Sequence, residues 1–111
     1  MKLITKAIEK NLPKLYSTDG MKGKQKVIVK FFTPDSSFTW FILEGEKNEN
    51  DDMTFFGLVT GGCADELGYV TLSELHSAKG PLGLPIERDK WWDDKQTLEQ
   101  AAPKFCENLW G

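Results

Sequence analysis

Residues 26–46, KVIVKFFTPDSSFTWFILEGE, contain two apolar runs separated by turn-forming residues. Both runs are rich in β-branched and aromatic residues that alternate between two faces, so they predict strands over 26–32 and 38–45. The residues between them suit a turn, because Pro34 presets φ and Asp35 can accept hydrogen bonds from backbone amides. The stretch therefore predicts a β-hairpin that is apolar on both faces.

The residues that follow extend this hairpin into a larger sheet. MTFFGLVTG at 53–61 and ELGYVTL at 66–72 predict two more strands, and the polar, acidic segment at 46–52 is typical of an exposed loop. Thr71 and Glu74 have the spacing of a capping box, which predicts a short helix over 72–79. Lys90-Trp91-Trp92 ends a stretch that predicts a short edge strand. Short turns between consecutive strands favour an antiparallel meander.

Both ends of the chain show helical spacing. Apolar residues predict a first helix over 3–16, which Pro13 ends or kinks. A second stripe on that helix consists of lysines four residues apart: Lys2, Lys6, Lys10 and Lys14. It is either a solvated face or a surface for an anionic partner. Near the C-terminus, Thr97 and Gln100 form another capping box, and Pro103 predicts a break near 102.

Together these segments predict one α+β domain over 1–111, with a four- to five-stranded antiparallel meander sheet and about three short helices. An apolar content of 40% excludes general disorder. Residues 1–34 hold eight lysines and two carboxylates, for a net charge of +6, whereas residues 35–111 hold six basic and fifteen acidic groups, for −9. This asymmetry indicates either an acidic or nucleic-acid partner or charge complementarity inside the domain.

Several classes of protein are disfavoured by what the sequence lacks. Cys63 and Cys106 form no CxxC motif, and together with His76 they are too few for a zinc site, so no metal site and no cofactor are predicted. Calcium-binding and phosphate-binding loop patterns are missing as well. No apolar run has the length of a signal peptide core or a membrane span, which predicts a cytoplasmic protein with free thiols and no membrane partner.

The candidate binding residues lie mainly at the end of the strand-rich block. An arginine between two carboxylates, in Glu87-Arg88-Asp89, either orients an anionic ligand or forms a local ion-pair cluster. Adjacent residues of an extended segment point to opposite sides, so Trp91 or Trp92 is expected outside, where tryptophan often anchors an interface. Trp40 belongs to a set of sheet aromatics that either stack on single-stranded bases or pack beneath helices.

Four segments of the chain resemble one known family: VKFFTPDSSFTW, FFGLV, ELGYVTLSEL and GPLGLPIERD. In this order they are similar to the DUF2958 family, small bacterial, phage and plasmid proteins of unknown function. The resemblance covers about residues 1–95, and the helical tail at 96–111 lies outside it. It implies no catalytic residue. The association of the family with mobile elements implies a role in replication, transfer or evasion of host defences.

These observations lead to three functional hypotheses. The first is a small non-enzymatic interaction protein linked to mobile elements, whose partner is a protein, such as a host DNA-handling or defence protein that it inhibits or modulates. The second is a single-stranded nucleic-acid or nucleotide-binding domain that uses the lysine stripe and the sheet aromatics. The third is a small enzyme with a site around residues 87–89. The sequence leaves the oligomeric state open.

Overall fold

The computed structural model describes residues 2–111, which form a five-stranded antiparallel sheet and four short helices. The strands are ordered β4-β3-β2-β1-β5 across the sheet, so the first four form a meander and the fifth is added beside β1. The predicted α+β class is therefore confirmed. The elements are α1 (Lys6–Asn11), β1 (Val29–Phe32), β2 (Thr39–Lys47), β3 (Met53–Thr60), β4 (Glu66–Thr71), α2 (Leu72–Ser77), β5 (Glu87–Arg88), α3 (Leu98–Ala101) and α4 (Pro103–Trp110).

The central hairpin forms where the sequence predicts it. β1 and β2 pair from Val29 opposite Ile42 to Phe32 opposite Thr39, and the amide of Thr33 donates to the carbonyl oxygen of Phe38 across the turn at 3.0 Å. The first strand is shorter than the predicted 26–32. Lys26 and Val27 pair instead with the C-terminal part of the chain, through a bridge between Lys26 and Thr97 and a bond from the amide of Val27 to Gln96.

A β-bulge in β2 changes which side of the sheet its later residues face. Ile42 pairs with Gly57, but Glu44 pairs with the very next residue of β3, Phe56, so that Leu43 is the extra residue. Without the bulge, Glu44 would share a face with Ile42, two residues before it. The bulge therefore places Glu44 on the opposite face.

Each face of the sheet packs against its own apolar cluster. The front face, which carries Phe31, Ile42 and Phe55, is covered by the N-terminal segment, α2 and Ile86. The back face, which carries Phe41, Phe56 and Leu58, is covered by Trp92 and the C-terminal helices. Coverage on both faces explains why both strands of the central hairpin are apolar on both sides.

The first helix is much shorter than predicted. It spans Lys6–Asn11 rather than 3–16, with the hydroxyl of Thr5 accepting a hydrogen bond from the amide of Ile8 at 3.2 Å. Leu12 is extended (φ −70°, ψ 123°), as expected for a residue before Pro13, because the proline ring disfavours helical backbone there. Only two of the four predicted stripe lysines, Lys6 and Lys10, lie on the helix, and Lys2 and Lys14 lie outside it. The prediction of a continuous lysine face on one helix was wrong.

The other helix signals were read correctly from the sequence. Thr71 and Glu74 form a reciprocal capping box at the start of α2, and Thr97 and Gln100 form another at the start of α3. Ala102 leaves helical geometry and Pro103 begins α4, so the last helical segment is two helices. Within residues 2–111, no helix has the length and apolarity needed to cross a membrane.

Candidate functional site

Arg88, the centre of the predicted charged triplet, holds the N-terminal segment in place. Its guanidinium Nη1 donates to the carbonyl oxygen of Lys2 at 2.6 Å and lies 3.3 Å from that of Leu3. β5 is extended, and its register pairs Arg88 with Phe31 and Glu87 with Phe32. Arg88 and Glu87 therefore face opposite sides of the sheet. The structure does not bring the three charges of 87–89 together around one ligand.

The predicted residues Asp89 and Trp92 meet on the back face around Lys30. The Lys30 ammonium lies 3.9 Å from Asp89 Oδ2 and 5.5 Å from the centre of the Trp92 ring. The indole nitrogen of Trp92 donates to the carbonyl oxygen of Val27 at 2.8 Å, and its ring packs against Phe41 at 6.0 Å. These contacts tie the C-terminal segment to the sheet.

Trp91 points into solvent. Its side chain is 93% exposed, while its backbone amide donates to Asp89 Oδ1 at 2.9 Å. The two adjacent tryptophans thus point to opposite sides, one into the protein and one out of it. Trp91 is not a lining residue of any of the five cavities described for residues 2–111.

The remaining predicted residue, Trp40, lines a cavity of about 170 Å³ on the front face. This cavity, called here the front trough, lies across β2, β3 and β4 and includes Gly57, Val59 and Gly68. Phe38 extends it, because its ring stacks on Trp40 with a centroid distance of 6.1 Å and an interplanar angle of 29°. Glu66 stands at its rim and is exposed.

Two glycines that pair across β3 and β4 give the front trough its depth. Gly57 lies directly opposite Gly68. A Cβ on Gly57 would collide with the carbonyl oxygen of Phe41, so only glycine fits beside the bulged strand. A Cβ on Gly68 would meet nothing within 4 Å. The signal for the trough in the sequence is a glycine inside each of two consecutive strands.

β4 is an edge strand, and its outer side carries free hydrogen-bonding groups. The amide of Thr71 donates to Glu74 Oε1 at 2.9 Å instead of to β3. Because N–H and C=O groups alternate in direction along an antiparallel strand, Leu67 and Tyr69 also direct theirs away from β3. No other strand of residues 2–111 pairs with this side. The front trough and the open edge therefore meet at Gly68.

A buried carboxylate holds the loop after α1. Glu44 is 1% exposed, and its Oε1 accepts from the amide of Tyr16 at 2.7 Å. Its Oε2 accepts from the amide of Thr18 at 2.9 Å and from the hydroxyl of the same threonine. Tyr16 has a left-handed backbone (φ 71°), which these bonds help to maintain. With its acceptors occupied, Glu44 is a structural group.

Three groups have shifted pKa values, and each shift is away from neutral pH. The pKa of Asp52 lies below its ordinary value because the Ser73 hydroxyl donates to it, which keeps the carboxylate ionised. A hydrogen bond with Tyr16 raises the pKa of Tyr69, and burial raises that of Cys106, so both stay protonated. Among residues 2–111, no cluster of three or more potential metal ligands occurs.

Comparison with protein families identifies the family of this chain. A family described as "Protein of unknown function (DUF2958)" matches residues 3–104, a range that includes α3 and the first residues of α4. No curated protein and no solved structure is significantly similar to the chain.

Proposed function

Because the chain belongs to the DUF2958 family, whose description carries no activity, we propose its function from the geometry of the site. We propose that it is a non-enzymatic interaction protein that binds an extended segment of a partner protein along β4. The observation that carries the proposal is the meeting of an open strand edge with an apolar trough at Gly68.

The open edge supplies the main-chain part of this interaction. An added strand would form hydrogen bonds with the outward N–H and C=O groups of Leu67 and Tyr69. Recognition by strand addition takes its affinity from such bonds and its specificity from pockets for alternate side chains. Natural sheets usually protect long edges by charges, prolines or cover. β4 has charge only at its first residue, Glu66, and contains no proline.

The front trough supplies the side-chain part. On an added strand, the residue opposite Gly68 has no side chain to compete with, since this position is open. Its side chain can cross Gly68 and reach Trp40, whose ring is already stacked on Phe38. A cavity of about 170 Å³ suits one apolar side chain. We expect a large aliphatic or aromatic residue at this place in the partner.

Charge at the rim favours a basic partner segment. Asp65 and Glu66 are exposed at the start of β4, and neither belongs to an ion pair formed within residues 2–111. A lysine or arginine next to the apolar anchor would complement them and would speed the encounter. The proposed ligand is therefore an extended segment with one large apolar residue flanked by basic residues.

The narrower form of the proposal concerns the biological partner. Proteins that handle DNA are rich in exposed lysine and arginine, because these residues contact phosphates. β4 and its rim would recognise a basic segment of a host DNA-handling or defence protein. A small protein from a mobile element would meet such a partner in the cytoplasm. Inhibition or modulation of that host protein is the proposed consequence.

The two other hypotheses receive less support from the geometry. An enzyme built on residues 87–89 would need converging side chains, but Arg88 and Glu87 face opposite sides of the sheet. Base stacking on the sheet would need several exposed rings on one face. Phe31 and Phe55 are fully buried, and the exposed sheet aromatics Phe38 and Tyr69 belong to opposite faces. Lys6 and Lys10 remain available on α1, without the predicted four-residue stripe.

Selection from a phage-displayed random peptide library tests the proposal. Selected peptides should share a large apolar residue flanked by lysine or arginine, and their binding should shift the backbone amide signals of Leu67 and Tyr69 in NMR spectra. Gly68→Val fills the trough and should abolish binding. Trp91→Ala removes an exposed aromatic side chain outside the trough and should leave binding unchanged.

Two outcomes would refute strand addition at β4. One is a selection that yields no peptide dependent on the trough, and the other is a set of binders that tolerate Gly68→Val but lose affinity with Trp91→Ala. The second outcome would move the interaction surface to the exposed tryptophan. Thermal unfolding of both variants shows whether each one is folded before it is scored.

A further inference from the structure

A second concavity, of about 550 Å³, lies between the end of α1, the loop that follows it and the turn before α3. It shares no lining residue with the front trough. This basic cleft is defined by three lysines, one buried amide and one carboxylate, together with a methionine: Lys24, Lys26, Lys95, Gln25, Asp94 and Met21. Its volume is within the usual range of small-molecule sites, roughly 300–1,000 Å³.

Backbone hydrogen bonds fix the wall that carries two of the lysines. The amide of Val27 donates to the carbonyl oxygen of Gln96 at 2.8 Å, and the amide of Leu98 donates to that of Gln25 at 2.9 Å. The amide of Glu99 continues this ladder by donating to Gly23 at 2.9 Å. Lys24 and Lys26 thus project from a segment held against the C-terminal part of the chain, and Lys95 lies just before that part.

The three lysines leave an uncompensated positive charge in the basic cleft. None of them belongs to an ion pair formed within residues 2–111. One carboxylate, Asp94, also lines the cleft and offsets one of the three positive charges, which leaves a formal net charge of +2. Its Oδ2 accepts a hydrogen bond from Asn11 Nδ2 at 3.1 Å. The net positive charge of the cleft would attract an anion that enters it.

Gln25 adds a hydrogen-bond donor to these charges. The residue is 5% exposed and lines the cleft, and its Oε1 accepts from the amide of Gly23 at 2.7 Å. This bond fixes the orientation of the side-chain amide, so Nε2 is its remaining polar atom. Nε2 makes no hydrogen bond within residues 2–111 and is not a buried atom, so it is accessible from the cleft. An oriented amide in the wall of the cleft can donate to a ligand oxygen in place of solvent.

We propose that the basic cleft binds a small molecule that carries a di- or triphosphate group. Lysine ammonium groups bind phosphate as point charges, and the Gln25 amide would donate to a phosphate oxygen. Met21, Pro13 and Ile28 form an apolar side of the cleft for the rest of the ligand. No aromatic residue is among the lining residues, so stacking of bases along a nucleic-acid strand has no platform here.

Isothermal titration at low ionic strength tests the proposal, with inorganic tripolyphosphate, ATP and a short oligothymidylate as the probes. Tripolyphosphate and ATP should bind at one site, and binding should weaken as salt is added. Each of the substitutions Lys24→Gln, Lys26→Gln and Lys95→Gln should lower the affinity about tenfold. Binding of ATP but not tripolyphosphate would locate recognition in the nucleoside and overturn the phosphate assignment.

Matched variants separate a built site from general attraction to a basic surface. Lys10→Gln and Lys104→Gln make the same change in net charge at lysines that do not line the cleft, and they should leave the affinity within about twofold because they remove no direct contact with the ligand. Gln25→Glu keeps the acceptor for Gly23 but replaces the donor, and it should weaken binding in a protein that still melts cooperatively.

Three further results would overturn this assignment: no binding of tripolyphosphate or ATP, equal losses in the cleft and control variants, or tighter binding of oligothymidylate through the same lysines. The last result would make the cleft part of a nucleic-acid surface. Because the cleft and the trough share no residue, failure here leaves the strand-addition proposal standing, and failure of the peptide selection leaves this one standing.

Discussion

Replacing Glu44 with glutamine removes one acceptor oxygen from a buried site that uses both. Oε1 accepts a hydrogen bond from the amide of Tyr16, and Oε2 accepts one from the amide of Thr18. In either orientation of the glutamine amide, its NH₂ group therefore faces a backbone N–H. A buried donor left without an acceptor costs about 1–3 kcal/mol. The bond that remains also loses its charge assistance, worth roughly 1 kcal/mol more. We therefore expect Glu44→Gln to lower the free energy of unfolding by about 2–4 kcal/mol.

The matched control lies two residues further along the same strand. Glu46 is exposed and accepts one hydrogen bond, from the amide of Leu15 at 2.9 Å, which a glutamine oxygen can also accept. Glu46→Gln should therefore stay within about 0.5 kcal/mol of the parent protein.

Thermal unfolding followed by circular dichroism should separate the two variants, because about 4 °C of melting temperature corresponds to each kcal/mol in a domain of this size. Hydrogen exchange of the amides of residues 16 and 18 should quicken only in Glu44→Gln. Equal melting temperatures for the two variants would refute the view that Glu44 holds this loop.

Three further predictions concern stability and thiol reactivity. Gly68→Val should raise the free energy of unfolding by about 0.5–1 kcal/mol in urea titrations, because glycine weakens a strand and a Cβ here would meet nothing within 4 Å. A lower free energy of unfolding would mean that the trough is closed. Asp52→Asn should destabilise the protein at neutral pH. The pKa of Asp52 in the folded protein lies below its ordinary value of 3.8. The carboxylate therefore contributes to stability above pH 3.8, and this contribution is lost as the pH falls through the folded pKa. A difference in stability between the parent protein and the variant that persists in stronger acid would contradict this. A thiol reagent should modify exposed Cys63 quickly and buried Cys106, whose pKa is raised by burial, only on unfolding; equal rates would contradict the packing of α4.

The parts of the fold that the sequence predicts are those fixed by local chemistry. Turn residues around Pro34 place the central hairpin, and the Thr71–Glu74 and Thr97–Gln100 boxes place two helix starts. Each of these features depends on residues a few positions apart, so tertiary packing did not override them. The first helix was predicted too long because its apolar spacing continues beyond Pro13, although the proline ends the helix at Leu12.

The parts that sequence does not predict depend on pairing between distant residues. The bulge at Leu43 arises because β2 has one more residue than β3 between two consecutive pairs. The bulge places Glu44 on the face of the sheet that contacts the loop at 16–18. The positions of Arg88 and Trp92 likewise depend on distant residues. They follow from the register of β5 against β1 and from hydrogen bonds to Lys2 and Val27. No local pattern contains this information.

The uneven charge of the chain is explained only in small part by contacts inside the domain. The ion pairs formed within residues 2–111 are Lys30–Asp89 and Lys47–Asp51, and only the first joins the basic N-terminal part to the acidic remainder. Lys30 and Asp89 are partly buried, but a single pair at 3.9 Å offsets only one of the charges that make up the asymmetry. Ion pairs inside the domain therefore account for little of it. The positive charge of Lys24 and Lys26 lies instead in the basic cleft, and a negative group, Glu66, stands at the trough. Charge left unpaired beside two separate concavities is what two ligands of opposite charge would require.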